Sequence, residues 1–147
     1  MKPEFAKYLE DIGVPNALID RIDRIYLFYE GLSTAHQITD IFVTDYLDET
    51  KQRNYQNLWF FTDTYYCMEA KGFATQDNFD MMNVEARVSR WEITKQDYDF
   101  KKATALSRLA VSLSLTPGHS GNLNASMNNC DYLKTIFLKY FLPNVMH

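Results

Sequence analysis

Residues 107–127 alternate so regularly that they define a pair of half-buried antiparallel strands before the rest of the chain is considered. Leu109, Val111, Leu113 and Leu115 share one parity, and Arg108, Ala110, Ser112 and Ser114 share the other. A period of two sends successive side chains to opposite faces, so one face suits a core and the other suits water. Pro117-Gly118 interrupts the run, and Leu123, Ala125 and Met127 resume it against Asn122, Asn124 and Ser126. The pattern turns helical at Asn128-Asn129 and stops at Pro143. Strand, tight turn, strand and helix in that order point to an α+β fold with an antiparallel sheet.

The first third has a different period. Phe5, Tyr8, Leu9 and Ile12 predict a short helix over 3–12 that ends at Gly13. A second helix follows, with Asn16 as its N-cap, Leu18, Ile22, Ile25, Tyr29 and Leu32 as its apolar stripe, and Gly31 as its C-terminal left-handed residue. From residue 36 the period becomes two, and strands are expected at 38–46, 55–62 and 65–71. Leu58-Trp59-Phe60-Phe61 is apolar at both parities, so the N-terminal helices, or another subunit, must cover the outer face of that strand. Val84, Ala86 and Val88 then alternate in one parity and Trp91 and Ile93 in the other, which places a bulge at Ser89-Arg90 or a late strand start. Lys95-Gln96-Asp97 is read as a turn, with Tyr98 and Phe100 facing inward beyond it.

A chain of 147 residues is most simply one domain, and 46% hydrophobic residues can fill its core. Residues 1–35 are read as helices packed on the 36–147 barrel, in one compact unit. Net charge is −4, which disfavours nonspecific nucleic-acid binding and opposes anionic membranes. Cys67 and Cys130 lack metal-site spacing and read as buried small hydrophobes. No signal-peptide pattern and no run of roughly 20 apolar residues is present, so a cytoplasmic location is expected.

The final unit, Gly121-Asn-Leu-Asn-Ala-Ser-Met-Asn-Asn-Cys-Asp-Tyr-Leu-Lys, resembles the end of a pleckstrin-homology-like (PH-like) domain. The resemblance rests on element order over residues 36–143. It implies a seven-stranded antiparallel barrel plugged by a C-terminal capping helix, with Leu133, Ile136, Phe137, Tyr140 and Phe141 as the plug. Many such domains bind phosphoinositides through basic residues of the first two strands, and Lys51-Gln52-Arg53 is similar to part of that pattern. The family's preceding basic residue is missing, and Asp45, Asp48 and Glu49 oppose an anion there. A solvated charged loop is the simpler reading.

No residue pattern demands a reaction. His36, His119 and His147 stand outside metal motifs, Ser120 beside His119 has no nucleophile elbow, and no phosphate-cradling glycine loop occurs. No cofactor or metal is implied. The expectation is a noncatalytic module for a protein partner, working through the 47–54 and 72–80 loops, with Lys51, Arg53, Asp77 and Asp80 as contact residues. The stripe of the 16–31 helix offers a docking or dimer face if the core does not use all of it, and a homo-oligomer stays open. The alternative is a small-molecule-binding protein or enzyme with a cavity between sheet and last helix, lined by Trp59, Trp91 and Tyr140. Binding to an anionic membrane through Lys51 and Arg53 is a third, weaker reading.

Overall fold

The computed structural model describes residues 1–32, 37–75, 80–116 and 118–143, and for 82–85 the backbone. Helix α1 (Pro3–Asp11) begins with proline in its first turn, where the missing N–H costs nothing, and breaks at Gly13, whose φ is +82°. Helix α2 (Asn16–Leu32) starts one residue earlier than expected: Asn16 is already helical, and the Pro15 carbonyl accepts from the N–H groups of Leu18 and Ile19. Gly31 lies inside this helix rather than capping it in the left-handed region.

Six strands follow in one antiparallel sheet whose spatial order is their chain order: β1 (Ile38–Leu47), β2 (Arg53–Thr62), β3 (Tyr66–Lys71), β4 (Asp80–Asp97), β5 (Arg108–Thr116) and β6 (His119–Ser126). At 18 residues β4 is two strand lengths. Asp80–Arg87 pairs with β3 and Arg87–Asp97 pairs with β5, so Arg87 belongs to both ladders. Counted at that switch, the sheet has the seven strand lengths expected from sequence. A shift of register falls between Val88 and Arg90, at the predicted bulge. A second, between Ile93 and Lys95, keeps Lys95-Gln96-Asp97 in the strand, contrary to the turn expected there. Strand β2 begins at Arg53, so Arg53 leaves the loop in which the sequence reading placed it.

Helix α3 (Asn129–Ile136) and a π-helical turn (Phe137–Phe141) follow β6. Leu133, Ile136, Phe137, Tyr140 and Phe141 are all buried. Strand β2 is covered on both sides, from Leu58 to Thr62. On its outer side Phe60 stacks on Tyr29 of α2 at 5.1 Å between centroids and meets Tyr26 edge-on at 6.1 Å. On its inner side Phe61 stacks on Tyr140 at 4.9 Å. Burying each such side chain contributes roughly 1.5–3 kcal/mol, which is why a two-sided apolar strand recruits a helix to each face. Cys67 and Cys130 are buried free thiols, and burial pushes each up to about 12.

Candidate functional site

The curved sheet brings β1 near β6 without a shared ladder, and polar side chains fill this seam. Asp45 on β1 is its centre. The Asp45 Oδ1 accepts from Asn129 Nδ2 at 2.7 Å and from the Ser126 N–H at 3.1 Å. Its Oδ2 accepts from Arg53 Nε at 3.0 Å and from the Ser126 hydroxyl. Arg53 also donates to the carbonyls of Ile12 and Ser126 and, at 2.8 Å, to Asn128 Oδ1. The Val43 N–H donates to the Tyr8 hydroxyl at 3.0 Å, and the Val43 carbonyl accepts from Asn129 Nδ2 at 2.8 Å. Tyr8 in turn donates to Asn129 Oδ1 at 2.9 Å. Burial raises the Tyr8 phenol well above the ordinary tyrosine range.

This arrangement revises two sequence readings. Asp45 is not part of a solvated acidic loop: its side chain is wholly buried. Arg53 is not a surface cation waiting for phosphate: its side chain is 13% exposed, and a carboxylate and four further acceptors already engage it. A buried charge needs such company, because leaving water costs several kcal/mol per ion. The seam is therefore a structural clasp joining α1, the β1–β2 hairpin and the β6–α3 corner.

Lys51 does lie at an exposed turn, at φ +66°. Neighbouring Asp48 organises that turn, accepting from the Thr50 hydroxyl at 2.6 Å, from the N–H groups of Thr50 and Gln52 at 2.9 Å, and from Asn54 Nδ2 at 3.1 Å. The hydrogen bonds from Thr50, Asn54 and Gln52 hold the Asp48 carboxyl down to about 2. Asp80 is exposed at the start of β4, opposite Lys71. Asp77 lies outside the described residues, as do His36 and His147. His119 and Ser120 are consecutive residues of β6, so their side chains leave opposite faces. Among the described residues no three His, Cys, Asp or Glu side chains gather as metal ligands.

The three aromatic residues expected around a cavity are joined by other rings. Trp91 meets Phe137 edge-on at 4.7 Å, Phe137 meets Phe141 at 6.0 Å, and Phe141 meets Phe61 at 6.0 Å. Phe61 then stacks on Tyr140 and, at 6.2 Å, on Trp59. Phe61, Phe137 and Phe141 thus link Trp59, Trp91 and Tyr140 through ring contacts. Trp59 is fully buried over Gly121, where an added Cβ would fall 2.5 Å from the indole. Its Nε1 has no hydrogen-bond partner among the described residues. The Tyr140 hydroxyl donates to Asp40, and burial is the main cause that raises its pKa far above the tyrosine range.

Glu69 pairs with Trp59 across β2 and β3, so it shares the indole's face of the sheet. It is 6% exposed, and burial pushes its carboxyl up to about 7. Sequence reasoning missed both Asp45 and Glu69 as interior acids. The signal open to sequence is position alone: Glu69 stands inside β3 between Met68 and Ala70, the one charged residue of a four-residue buried run.

Among the described residues, α2 carries the largest cluster of exposed apolar side chains. Ile22, Ile25, Tyr26 and Tyr29 of α2 are buried, while Leu27, Phe28 and Leu32 are 55%, 53% and 56% exposed. Nothing lies within 4 Å of a Cβ built on Gly31 beside them. Leu138 and Leu142, one helical turn apart after α3, form a smaller exposed pair. No described helix is long and apolar enough to cross a membrane. Comparison of the chain with protein-family models, curated protein sequences and solved structures finds no match.

Proposed function

We propose that this chain is a noncatalytic binding module of pleckstrin-homology-like architecture, docking a protein partner through the C-terminal half of α2. The observation that carries this reading is the exposure of Leu27, Phe28 and Leu32 on a helix whose opposite face is already satisfied by the core. Water contact with three large apolar groups on one helix end is relieved when a partner covers them. A helix-plugged antiparallel meander supports the architectural part of the reading. The polar residues at the seam are committed to one another, which leaves them no spare capacity for general acid or base work. The loop reading retains Lys51 and Asp80 as exposed residues, but without an apolar anchor between them.

The test is affinity capture with the folded chain and single-residue variants as baits. A retained protein should be lost with Phe28→Ser or Leu32→Ser and kept with Lys51→Ala and Asp80→Ala. Loss that follows Lys51 and Asp80 instead moves the surface to the loops and overturns the assignment to α2. A bait that unfolds normally yet retains nothing sinks the protein-binding reading.

A further inference from the structure

The exposed face of α2 carries its own complement. Along Asp20-Arg-Ile-Asp-Arg24, charge changes sign on reflection about Ile22. Ile22 itself is fully buried, so the outward surface at its level is framed by Asp20 and Arg24, which are one turn apart and both exposed. We propose that α2 pairs antiparallel with α2 of a second copy of this chain, about a two-fold axis level with Ile22.

An isologous contact of this kind brings together residues equally far before and after the axis. Asp20 of each copy then meets Arg24 of the other, giving two opposite-charge pairs. Leu27 and Phe28 fall on the partner's Ala17 and Asn16, small exposed residues of the first turn that leave room for them. Gly31 is exposed with nothing within 4 Å of a built Cβ, so the C-terminal end of the contact adds no bulk. A parallel pairing would set Asp20 on Asp20 and Arg24 on Arg24, which like-charge repulsion disfavours. Arg21 and Asp23 are also related by the axis, but Asp23 already binds the N-terminal ammonium at 2.7 Å and takes no part. A contact made by one helix face lies at the small end of the specific range, below roughly 1,200 Å². The dimer is therefore weak, reversible and salt-sensitive.

This inference rests on the reading of α2 as the docking face, and charge exchange separates the two. Sedimentation equilibrium of the full chain at low salt should show a monomer–dimer equilibrium. Asp20→Arg and Arg24→Asp should each weaken it about tenfold or more, because each sets like charges together twice. An equimolar mixture of those two variants should regain wild-type association, because both contacts between positions 20 and 24 then join opposite charges again. The double variant should regain it for the same reason. A chain still monomeric at about 1 mM overturns the proposal. So do single variants that associate like the wild type, or a mixture that fails to recover. If the chain stays monomeric while Phe28-dependent capture of another protein persists, self-pairing falls and the docking face stands.

Discussion

Hydrogen bonds close the β1–β6 seam, whereas ring contacts join the sheet to the last helix, and the two closures obey different rules. At the seam each atom has an assigned partner: four donors converge on Asp45, and both backbone groups of Val43 are met by side chains. Among the rings, contact is broad and non-directional, with stacked and edge-on pairs at 4.7–6.2 Å. A polar closure fails when one partner is removed, because the remaining groups stay buried and unsatisfied. An aromatic closure loses stability in proportion to the volume removed. The first specifies which elements meet, and the second supplies most of the attraction that holds them.

Nearly isosteric substitutions should expose the contrast most clearly. Asp45→Asn keeps the shape but turns an acceptor into a donor and strands the Arg53 charge, and should cost about 3–5 kcal/mol in urea unfolding. Phe61→Leu, among the rings, should cost under about 2 kcal/mol. Equal losses would break the distinction. Gly121→Ala probes the tolerance of the aromatic side, since its Cβ must displace the Trp59 indole, and should cost about 1–3 kcal/mol.

Glu69 is the polar outlier on the aromatic side. Its carboxyl is raised from 4.5 to about 7, so the folded state holds a proton that the unfolded chain releases. The stabilisation is complete below pH 4.5 and is lost as pH rises through about 7. Thermal or urea unfolding should show about 2 kcal/mol of decline from this group across that window. Glu69→Gln should remove that part of the slope, and a variant with the wild-type profile would exclude Glu69 as its source. Phe28→Ser, outside both closures, should change stability by under about 0.5 kcal/mol. A larger loss would mean that the exposed face of α2 supports the monomer rather than an interface.

The alternation in 107–127, the two-sided apolar stretch of β2 and the helical stripes were legible because burial imposes a period on sequence. The bulge near Ser89-Arg90 was legible for the same reason, as a change of parity. The clasp was not. Asp45 lies 81 and 84 positions before Ser126 and Asn129, and it reads as one acid among several until curvature of the sheet brings β6 beside it. Arg53 suffered the same error from the other side: grouped with Lys51 by sequence, it is separated from it by one step from turn to strand. The surface on α2 was half legible. Its apolar stripe predicts the helix, but only the packed structure distinguishes Leu32, a member of the stripe found exposed, from Tyr26, outside the stripe and found buried.

The clasp also sets an order of events during synthesis. Neighbouring strands are consecutive in the chain, so each hairpin can form soon after its second strand is made. Tyr8, however, bonds to Asn129, 121 positions later, and Asp45 waits 81 positions for the Ser126 amide. A nascent chain lacking β6 and α3 holds the Asp45 carboxylate and the Val43 edge without those partners. Helix α1 cannot be locked in place until α3 is made, so ribosome-bound intermediates should remain open to chaperones until α3 has emerged.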